Sequence, residues 1–378
     1  MTSDKIKVIV GLSGGVDSSV AALLLKQQGY AVEALFMKNW DELAVDGGCL
    51  WEADVEDAIR VCDTLDIPLN TVDLSRAYWD GVFSGFLEEY ARGRTPNPDI
   101  LCNQEVKFKA FLEHAMKLGA DIIATGHYAR VSKNIDGYKL LKGIDGNKDQ
   151  SYFLCRLMQY QLAHTLFPIG DYHKPGIRKI AAEAGLITHD KKDSTGICFI
   201  GERPFRDFLS RYLPVANGAI RTTDGQVVGE HMGIAFYTLG QRKGLGVGGV
   251  KGTGDGPWYV VAKDVACNEL IVSRDHDDPL LFSRQLTAGN LHWIEDRAPS
   301  FPLRCHAKTR YRQPDQACLV DAAGEDTVQV RFTDAQWAVT PGQYVVFYDN
   351  EVCLGGGVIE TSGNPVTGHK ITPEPSPL

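Results

Sequence analysis

The chain has 378 residues, 44% hydrophobic and 23% charged, a globular balance spread over more length than one ordinary core organises, so two or three domains are expected. No run approaches the roughly 18 apolar residues of a membrane span, and Met1-Thr2-Ser3-Asp4-Lys5 has no signal-peptide pattern, which points to a cytoplasmic protein. A net charge of −9 excludes a surface coated in positive charge for nucleic acid but leaves room for a local basic strip.

In chain order, residues 1 to about 200 alternate strands with helices. Lys5–Leu12 is an apolar run suited to a buried parallel strand. A helix over Ser18–Gly29 follows, with Val20, Ala21, Leu23, Leu24 and Leu25 at helical spacing. Ala31–Met37 reads as a second strand and Asn70–Leu74 as a third. Between them Ala53–Leu65 reads as an amphipathic helix with Val55, Ile59, Cys62 and Leu65 on one stripe. Helices over Tyr78–Arg92 and Gln104–Leu118 precede a strand at Asp121–Thr125. This alternation predicts an α/β domain: an open, mostly parallel, doubly wound sheet whose ligand sits at the carboxyl ends of the strands.

After residue 205 glycines crowd Gly218–Gly256, and short strands are expected at Gln226–Val228, Ile234–Thr238, Trp258–Ala262 and Glu269–Ser273. Further strands are expected at Leu303–Tyr311, Ala317–Asp321, Thr327–Phe332, Tyr344–Tyr348 and Glu351–Val358. This pattern predicts a small central β-rich domain and a C-terminal β-barrel. The domains read as 1–204, 205–279 and 280–362, with a Pro-, Thr- and Ser-rich disordered tail over 363–378.

The densest local signal is Ser13-Gly14-Gly15-Val16-Asp17-Ser18, between the first strand and the first helix, with Gly11 and Leu12 leading into it. Glycines admit phosphate close to the backbone, and a helix N-terminus offers unpaired N–H groups and partial positive charge. Ser13 and Ser18 add hydroxyl donors. Asp17 suits orientation of Mg2+ or helix capping better than direct phosphate contact. No Gly-Lys-Ser/Thr follows, so this is not a Walker A loop.

The nine cysteines are odd in number and form no Cys-x-x-Cys pair, so neither a zinc nor an iron–sulfur motif is written here. Cys102 follows Thr95-Pro96-Asn97-Pro98-Asp99, where two prolines hold an extended approach to the Gln104–Leu118 helix. A thiol just ahead of a helix is biased toward thiolate, and Asp99 is placed to exchange a proton with a substrate. Taken alone, the same residues read sooner as a buried apolar cysteine and a helix cap. Cys198, in Gly196-Ile197-Cys198-Phe199-Ile200-Gly201, has apolar flanks and alone reads as a structural cysteine in a short strand. Cys49, Cys62, Cys155, Cys267, Cys305, Cys318 and Cys353 read as structural.

These segments occur in order with Pro96-Asn97-Pro98-Asp99-x-x-Cys102-Asn103, Lys148-Asp149-Gln150-Ser151-Tyr152, Thr238-Leu239-Gly240-Gln241-Arg242-Lys243-Gly244-Leu245-Gly246 and Leu354-Gly355-Gly356-Gly357. The Ser13–Ser18 loop resembles the PP-loop of the ATP pyrophosphatases, which adenylate a substrate oxygen and release pyrophosphate. The set as a whole resembles the bacterial tRNA-specific 2-thiouridylase family over nearly the whole chain. The resemblance implies ATP with Mg2+ as cofactors. The nucleotide would lie on Gly11 to Ser18, with Phe36, Met37 and Gly126 toward the adenine. It implies that Cys198 carries a persulfide delivered by a sulfur-relay donor, a TusE-like carrier or a cysteine desulfurase. Cys102 then cleaves that persulfide or pairs with Cys198 as a disulfide. Asn97, Pro98 and Asp99 would surround the target base of the anticodon. His127, Lys148, Asp149, Gln150, Arg310, Tyr311 and Gln343 would contact tRNA.

The implied reaction follows from the chemistry of uracil. A C2 carbonyl has no leaving group until its oxygen is adenylated; sulfur then attacks C2 and AMP departs, with the base flipped out of its stack. Phosphate contacts would hold the tRNA, with Arg203, Arg206, Arg211, Arg242, Lys243, Arg304, Lys308, Arg310 and Arg312 as candidates. On a single strand Arg304, Lys308, Arg310 and Arg312 share a face. Two rival readings fit parts of the sequence. One is another PP-loop adenylating ligase, which needs no pair of reactive thiols. The other is a non-catalytic RNA-binding module with a nucleotide pocket.

Overall fold

The computed structural model describes residues 5–40, 51–193, 205–213, 215–248 and 256–363. Its first part carries strands β1 (Lys7–Gly11), β2 (Ala31–Lys38), β3 (Leu69–Asp73), β4 (Ile122–Ala124), β5 (Ala129–Asn134), β6 (Gly137–Lys142) and β7 (Thr165–Leu166). Three helices matter most for the site: α1 (Val16–Gln27), α2 (Glu52–Leu65) and α3 (Lys174–Glu183). Five strands form a parallel sheet in the order β3-β2-β1-β4-β7.

Alternating side chains sort this sheet into two layers. Ile9 of β1, Leu35 of β2 and Ile123 of β4 join a core with Tyr78, Phe83, Phe86, Val106, Phe108 and Phe111. Val8 and Val10, with Val32, Ala34 and Phe36, join another core with Leu24 and Leu25 of α1, Val61 and Leu65 of α2, and Ile177 and Ala181 of α3. Each such side chain contributes roughly 1.5–3 kcal/mol by leaving water. Helices therefore cover both faces, the doubly wound arrangement that the alternation predicts. The strand order reverses between β1 and β4, so the ligand crevice of such a sheet opens where β1 runs into Ser13 and β4 runs into Gly126.

Two helices differ from the expectation. On α2 the buried stripe is Ala58, Val61, Cys62 and Leu65, while Ile59 stands 46% exposed. Small Ala58 faces the core in place of Ile59, while Val55, Cys62 and Leu65 pack there as the stripe predicts. The helical run expected from Gln104 begins at Pro98, passes through a π-helical segment at Cys102–Ala110 and ends at Lys117. Proline loses no helical hydrogen bond at the first position of a helix, so Pro98 starts the run rather than preceding it. Cys102 consequently sits inside the helix, not ahead of it.

The central strands β8 (Gly218–Thr222), β9 (Val227–His231), β10 (Tyr259–Asp264) and β11 (Glu269–Ser273) form a sheet in the order β10-β11-β8-β9. Ile220, Val228, Trp258, Val260, Leu270 and Val272 fill its core. The strand expected at Ile234–Thr238 is instead a 3-10 turn at Ile234–Phe236. Gly233 enters it at a φ of 121°, and Tyr237 N–H closes it on the Ile234 carbonyl.

The last strands are β12 (Phe282–Trp293), β13 (Leu303–Lys308), β14 (Gln316–Ala322), β15 (Thr327–Trp337), β16 (Tyr344–Asp349) and β17 (Val352–Gly363). They follow the order β12-β15-β14-β13-β16-β17, and pairing of β12 with β17 closes the barrel. The β5–β6 hairpin of the first domain extends this sheet, with Leu141 opposite Val352 and Leu140 opposite Cys353. Leu140, Tyr152, Tyr344, Tyr348 and Cys353 share one core, so the barrel is welded to the first domain. The expected single strand from Leu303 to Tyr311 ends at Lys308. Gln313 Oε1 accepts from the N–H and hydroxyl of Thr309 and turns the chain there. Arg310 and Arg312 therefore leave the face shared by Arg304 and Lys308. Among the described residues no helix is long and apolar enough to cross a membrane.

Candidate active site

The Ser13–Ser18 loop leaves β1 at the point of strand reversal. Leu12 is buried, and its N–H donates to the Leu35 carbonyl of β2. Ser18 Oγ lies 3.2 Å from Ser13 Oγ, accepts from Ser13 N–H at 3.2 Å and donates to the Gly15 carbonyl at 3.1 Å. Gly14 has a φ of 69°, and a Cβ there would overlap the Asp54 carbonyl. Across the crevice, a Cβ on Gly126 would lie 2.6 Å from Ser18 N and 2.8 Å from Asp17 C. Gly11 is closely walled: a Cβ on it would meet Phe111 at 3.4 Å and Met37 Cε at 3.7 Å. The loop, Met37 and Gly126 thus converge. The result is a cradle of closely packed bare backbone at the start of α1, the kind of helix N-terminus that suits an anion. Val16 is buried beneath it, and Phe36 points into the helix-covered core.

A charged cluster borders the cradle, and motif reading did not reveal it. Asp17 accepts from Tyr128 Oη at 2.7 Å and from Lys174 Nζ at 2.9 and 2.8 Å. Lys174 also pairs with Asp193 at 2.7 Å, and Asp193 takes Lys148 at 2.6 Å and Arg178 at 3.0 Å. Burial pushes the Asp193 carboxyl up, but the hydrogen bonds from Lys148 and Lys174 outweigh it and hold the group down at about 2. Lys191 donates to the Gly14 carbonyl at 3.0 Å and pairs with Asp54 and Asp57 at 2.8 and 2.5 Å. None of Tyr128, Lys174, Lys191 or Asp193 stands in a recognisable motif. The only signal was a lysine at the head of a helix, in His173-Lys174-Pro175-Gly176.

The second part of the site is the segment that leads to Cys102. Thr95 is where three domains meet. Its N–H donates to the Pro341 carbonyl at 3.1 Å, its carbonyl accepts from Gln343 Nε2 at 2.8 Å, and its hydroxyl lies 3.3 Å from that of Thr238. Gln343 also donates to the Pro96 carbonyl at 3.2 Å. Asn97 stands at the N-cap position of the helix that Pro98 starts without a side-chain capping bond, and Asp99 stands in its first turn, where negative charge is favoured. Cys102 is fully buried. On either side of it, the amide oxygens of Asn97 and Asn103 are buried without a hydrogen-bond partner in the protein, although Asn103 Nδ2 is anchored on the Phe153 carbonyl at 3.0 Å. Cys198 lies outside the described residues, as do Cys49, Arg203 and the 364–378 tail.

The remaining predicted contacts have internal partners. Asp149 is buried and accepts from Gly143 N–H, Ser151 N–H and Ser151 Oγ, each at 3.1 Å. Gln150 and Tyr128 exchange hydrogen bonds at 2.9 and 2.8 Å. Tyr311 Oη donates to the Lys148 carbonyl at 3.2 Å, and burial raises its phenol to about 12. Arg310 donates to the Ala338 carbonyl at 2.6 Å and lies over Trp337. His127 is 8% exposed, with Nδ1 2.8 Å from Thr125 Oγ1 and its ring against Phe108 and Phe167. Of the basic candidates, Arg242, Lys243, Arg304 and Arg312 are exposed and Lys308 is buried between Asp149 and Asp315. Among the described residues, no cluster of three or more His, Cys, Asp or Glu side chains is set to hold a metal.

Comparison with known proteins covers the same ground. Residues 6–202 match a family described as tRNA methyl transferase HUP domain, residues 206–274 its PRC-barrel domain, and residues 283–359 an aminomethyltransferase β-barrel domain. The chain is 60% identical over 362 residues to the tRNA-specific 2-thiouridylase MnmA of Klebsiella pneumoniae, covering 95% of this chain and 98% of that one. It is 57% identical to the protein of that name from Colwellia psychrerythraea, over 95% of this chain and 96% of the relative. It is 55% identical to the one from Burkholderia multivorans, over 99% and 98%.

Proposed function

The chain belongs to the tRNA-specific 2-thiouridylase family, and on that premise we propose how its residues thiolate a tRNA uridine. ATP is a substrate that seats its phosphates on the backbone cradle from Gly11 to Ser18, with the adenine toward Met37 and Gly126. Mg2+ would accompany the nucleotide and neutralise its phosphates, with Asp17 as the loop's carboxylate toward it once Lys174 releases one Asp17 oxygen. The C2 oxygen of the flipped uracil attacks the α-phosphate, pyrophosphate leaves, and the O–AMP group becomes the leaving group. Cys198 carries the sulfur as a persulfide received from a sulfur-relay donor. Either the outer persulfide sulfur attacks C2 and displaces AMP, after which Cys102 attacks Cys198 Sγ to form the disulfide and free the thiolated base, or Cys102 attacks Cys198 Sγ first and the released hydrosulfide displaces AMP at C2. Asp99 manages the proton on the base.

One observation carries the placement of the base. The unpartnered oxygens of Asn97 and Asn103 flank Cys102, and an unmet buried acceptor costs roughly 1–3 kcal/mol unless a ligand supplies the donor. Uracil presents an N3–H there, where cytosine presents a lone pair, so these acceptors favour a uridine. The substrates are the wobble uridines of lysine, glutamate and glutamine tRNAs. His127, Lys148, Asp149, Gln150, Arg310, Tyr311 and Gln343 shape the surface that receives the tRNA, and the enzyme works in the cytoplasm. The domain limits are 1–204, 205–279 and 280–362.

The test is mass spectrometry of thiolated nucleosides from reactions with ATP, tRNA and a persulfide donor. Cys198→Ser and Cys102→Ser should each abolish 2-thiouridine while tRNA-dependent pyrophosphate release continues. Normal turnover by Cys198→Ser would end the persulfide assignment. Full turnover to a stable ligated, unsulfurated product after alkylation of all thiols would favour the ligase reading.

A further inference from the structure

We infer that Lys174 is the phosphate-binding lysine that the Ser13–Ser18 loop lacks, supplied 157 residues downstream of Asp17 and directed at the pyrophosphate end of ATP. The inference rests on the ATP-using reading of the loop and adds a residue that no motif assigns.

The loop contains no cation of its own, and it contains one anion, Asp17, in the first turn of α1. A carboxylate there suits the helix dipole but repels the phosphates that the same helix end would bind. Lys174 resolves this conflict. Its side chain is 10% exposed, and its three ammonium protons are matched by Asp17 Oδ1, Asp17 Oδ2 and Asp193 Oδ1 at 2.9, 2.8 and 2.7 Å. Its backbone is fixed too, because Lys174 N–H donates to Asp145 Oδ2 at 2.9 Å. A buried ion pair of this kind adds little to stability over an apolar replacement, so stability alone gives weak reason for it.

The cations and carboxylates here balance, Lys148, Lys174 and Arg178 standing against Asp17, Asp145 and Asp193. Lys148, Lys174 and Arg178 share the carboxylates of Asp17 and Asp193, and Asp193 stays ionised because those cations hold it so. An anion bound at the start of α1 lies next to Asp17 and so within reach of the ammonium that Asp17 holds. Lys174 then exchanges one oxygen of Asp17 for a phosphate oxygen. Asp17 keeps its hydrogen bond from Tyr128, and no proton or bond is made or broken. A lysine suits this exchange because its ammonium is a point charge with rotatable donors.

The test compares ligands that differ only in phosphate. Full-length wild type, Lys174→Met, Lys174→Arg and Asp193→Asn are titrated calorimetrically with Mg-ATP, inorganic pyrophosphate and AMP. Lys174→Met should weaken Mg-ATP and pyrophosphate by about tenfold or more and leave AMP within about twofold, the signature of a lost charge-assisted bond to the leaving phosphates. Lys174→Arg should keep most of the pyrophosphate affinity. Asp193→Asn, which frees Lys174 of one competitor, should tighten pyrophosphate, and it answers the question even where Lys174→Met fails to fold. Equal losses for ATP and AMP in Lys174→Met, or unchanged pyrophosphate affinity in both Lys174→Met and Asp193→Asn, would overturn the assignment while leaving ATP use intact. Wild type that binds none of the three ligands would instead overturn the ATP reading itself.

Discussion

The phosphate loop and the inner end of the barrel shape the site by opposite means. The loop works by omission: Gly14 and Gly126 are places where even a methyl group collides with backbone, so the cradle is peptide group against peptide group. The barrel works by reach. Gln343 spans to the carbonyls of Thr95 and Pro96, Tyr311 to that of Lys148, and the Tyr344 carbonyl takes the hydroxyl of Tyr152 at 3.0 Å. One region recognises by what is absent from its own sequence. The other acts through long side chains that stiffen another domain's backbone. Damage should therefore separate: loop changes should be read in nucleotide affinity, and barrel changes in stability and in the position of the Thr95–Cys102 segment.

The largest effect is expected at the joint between the two. Asp149→Ala removes an acceptor of three hydrogen bonds that is 5% exposed and leaves the buried ammonium of Lys308 with one carboxylate fewer. Breaking one side of a buried charged network costs about 3–5 kcal/mol, seen as a fall of several degrees or more in melting temperature by calorimetry. A variant that melts within a degree of wild type yet loses tRNA affinity would assign Asp149 to RNA rather than to the joint. Next in size is Gly126→Ala. Its methyl would sit 2.6 Å from Ser18 N, and an overpacked contact of this kind costs about 1–3 kcal/mol. The expected reading is a tenfold or greater loss of ATP affinity, by about 1.4 kcal/mol per decade, with barrel stability unchanged. If the barrel melts earlier as well, the two regions are not separable in the way described.

The same contrast explains what the sequence made legible. The parallel sheet and the phosphate loop depend on neighbours in sequence, so apolar runs such as Val8–Leu12 and a six-residue glycine motif disclosed them. Strand β12 was missed because Phe282–Trp293 is interrupted by Arg284, Gln285, Gly289 and Asn290, and its pairing is bulged against both neighbours. Hairpin β5–β6 was missed for a related reason: its alternation is weak, and it is completed only by β17, two hundred residues later. Lys174 and Asp193 were illegible because an ion pair leaves no periodicity. Gln343 was reached only through family resemblance, since its work is done on carbonyls 248 and 247 positions away.

Gln343→Ala tests reach without charge. It leaves the Thr95 and Pro96 carbonyls short of a donor, a loss of about 1 kcal/mol. Thiolation turnover should fall several-fold while Mg-ATP affinity holds, because the cradle is untouched. Parallel loss of both would show that the segment before Cys102 and the phosphate loop move as one. A thiol probe gives an independent check: iodoacetamide should modify exposed Cys267 well before buried Cys102 in the free protein, as followed by peptide mass spectrometry.

The smallest expected effect compares two histidines, one in each region. His127 beside the loop is held well below the ordinary histidine range by burial first and by Lys107 second. His292 of the barrel is lowered as well, by burial, against the opposing hydrogen bond to the Leu157 carbonyl at 2.9 Å. A histidine kept neutral by the fold binds a proton more readily once unfolded. Its contribution is therefore complete above pH 6.5 and is lost progressively as the pH falls toward the folded value. Over the single unit from pH 7 to pH 6 each group accounts for less than about 1 kcal/mol. His127→Gln should flatten the acid limb of a melting-temperature profile more than His292→Gln does, because His127 is the more strongly depressed of the two. The reverse ranking would place the greater desolvation in the barrel rather than beside the phosphate loop.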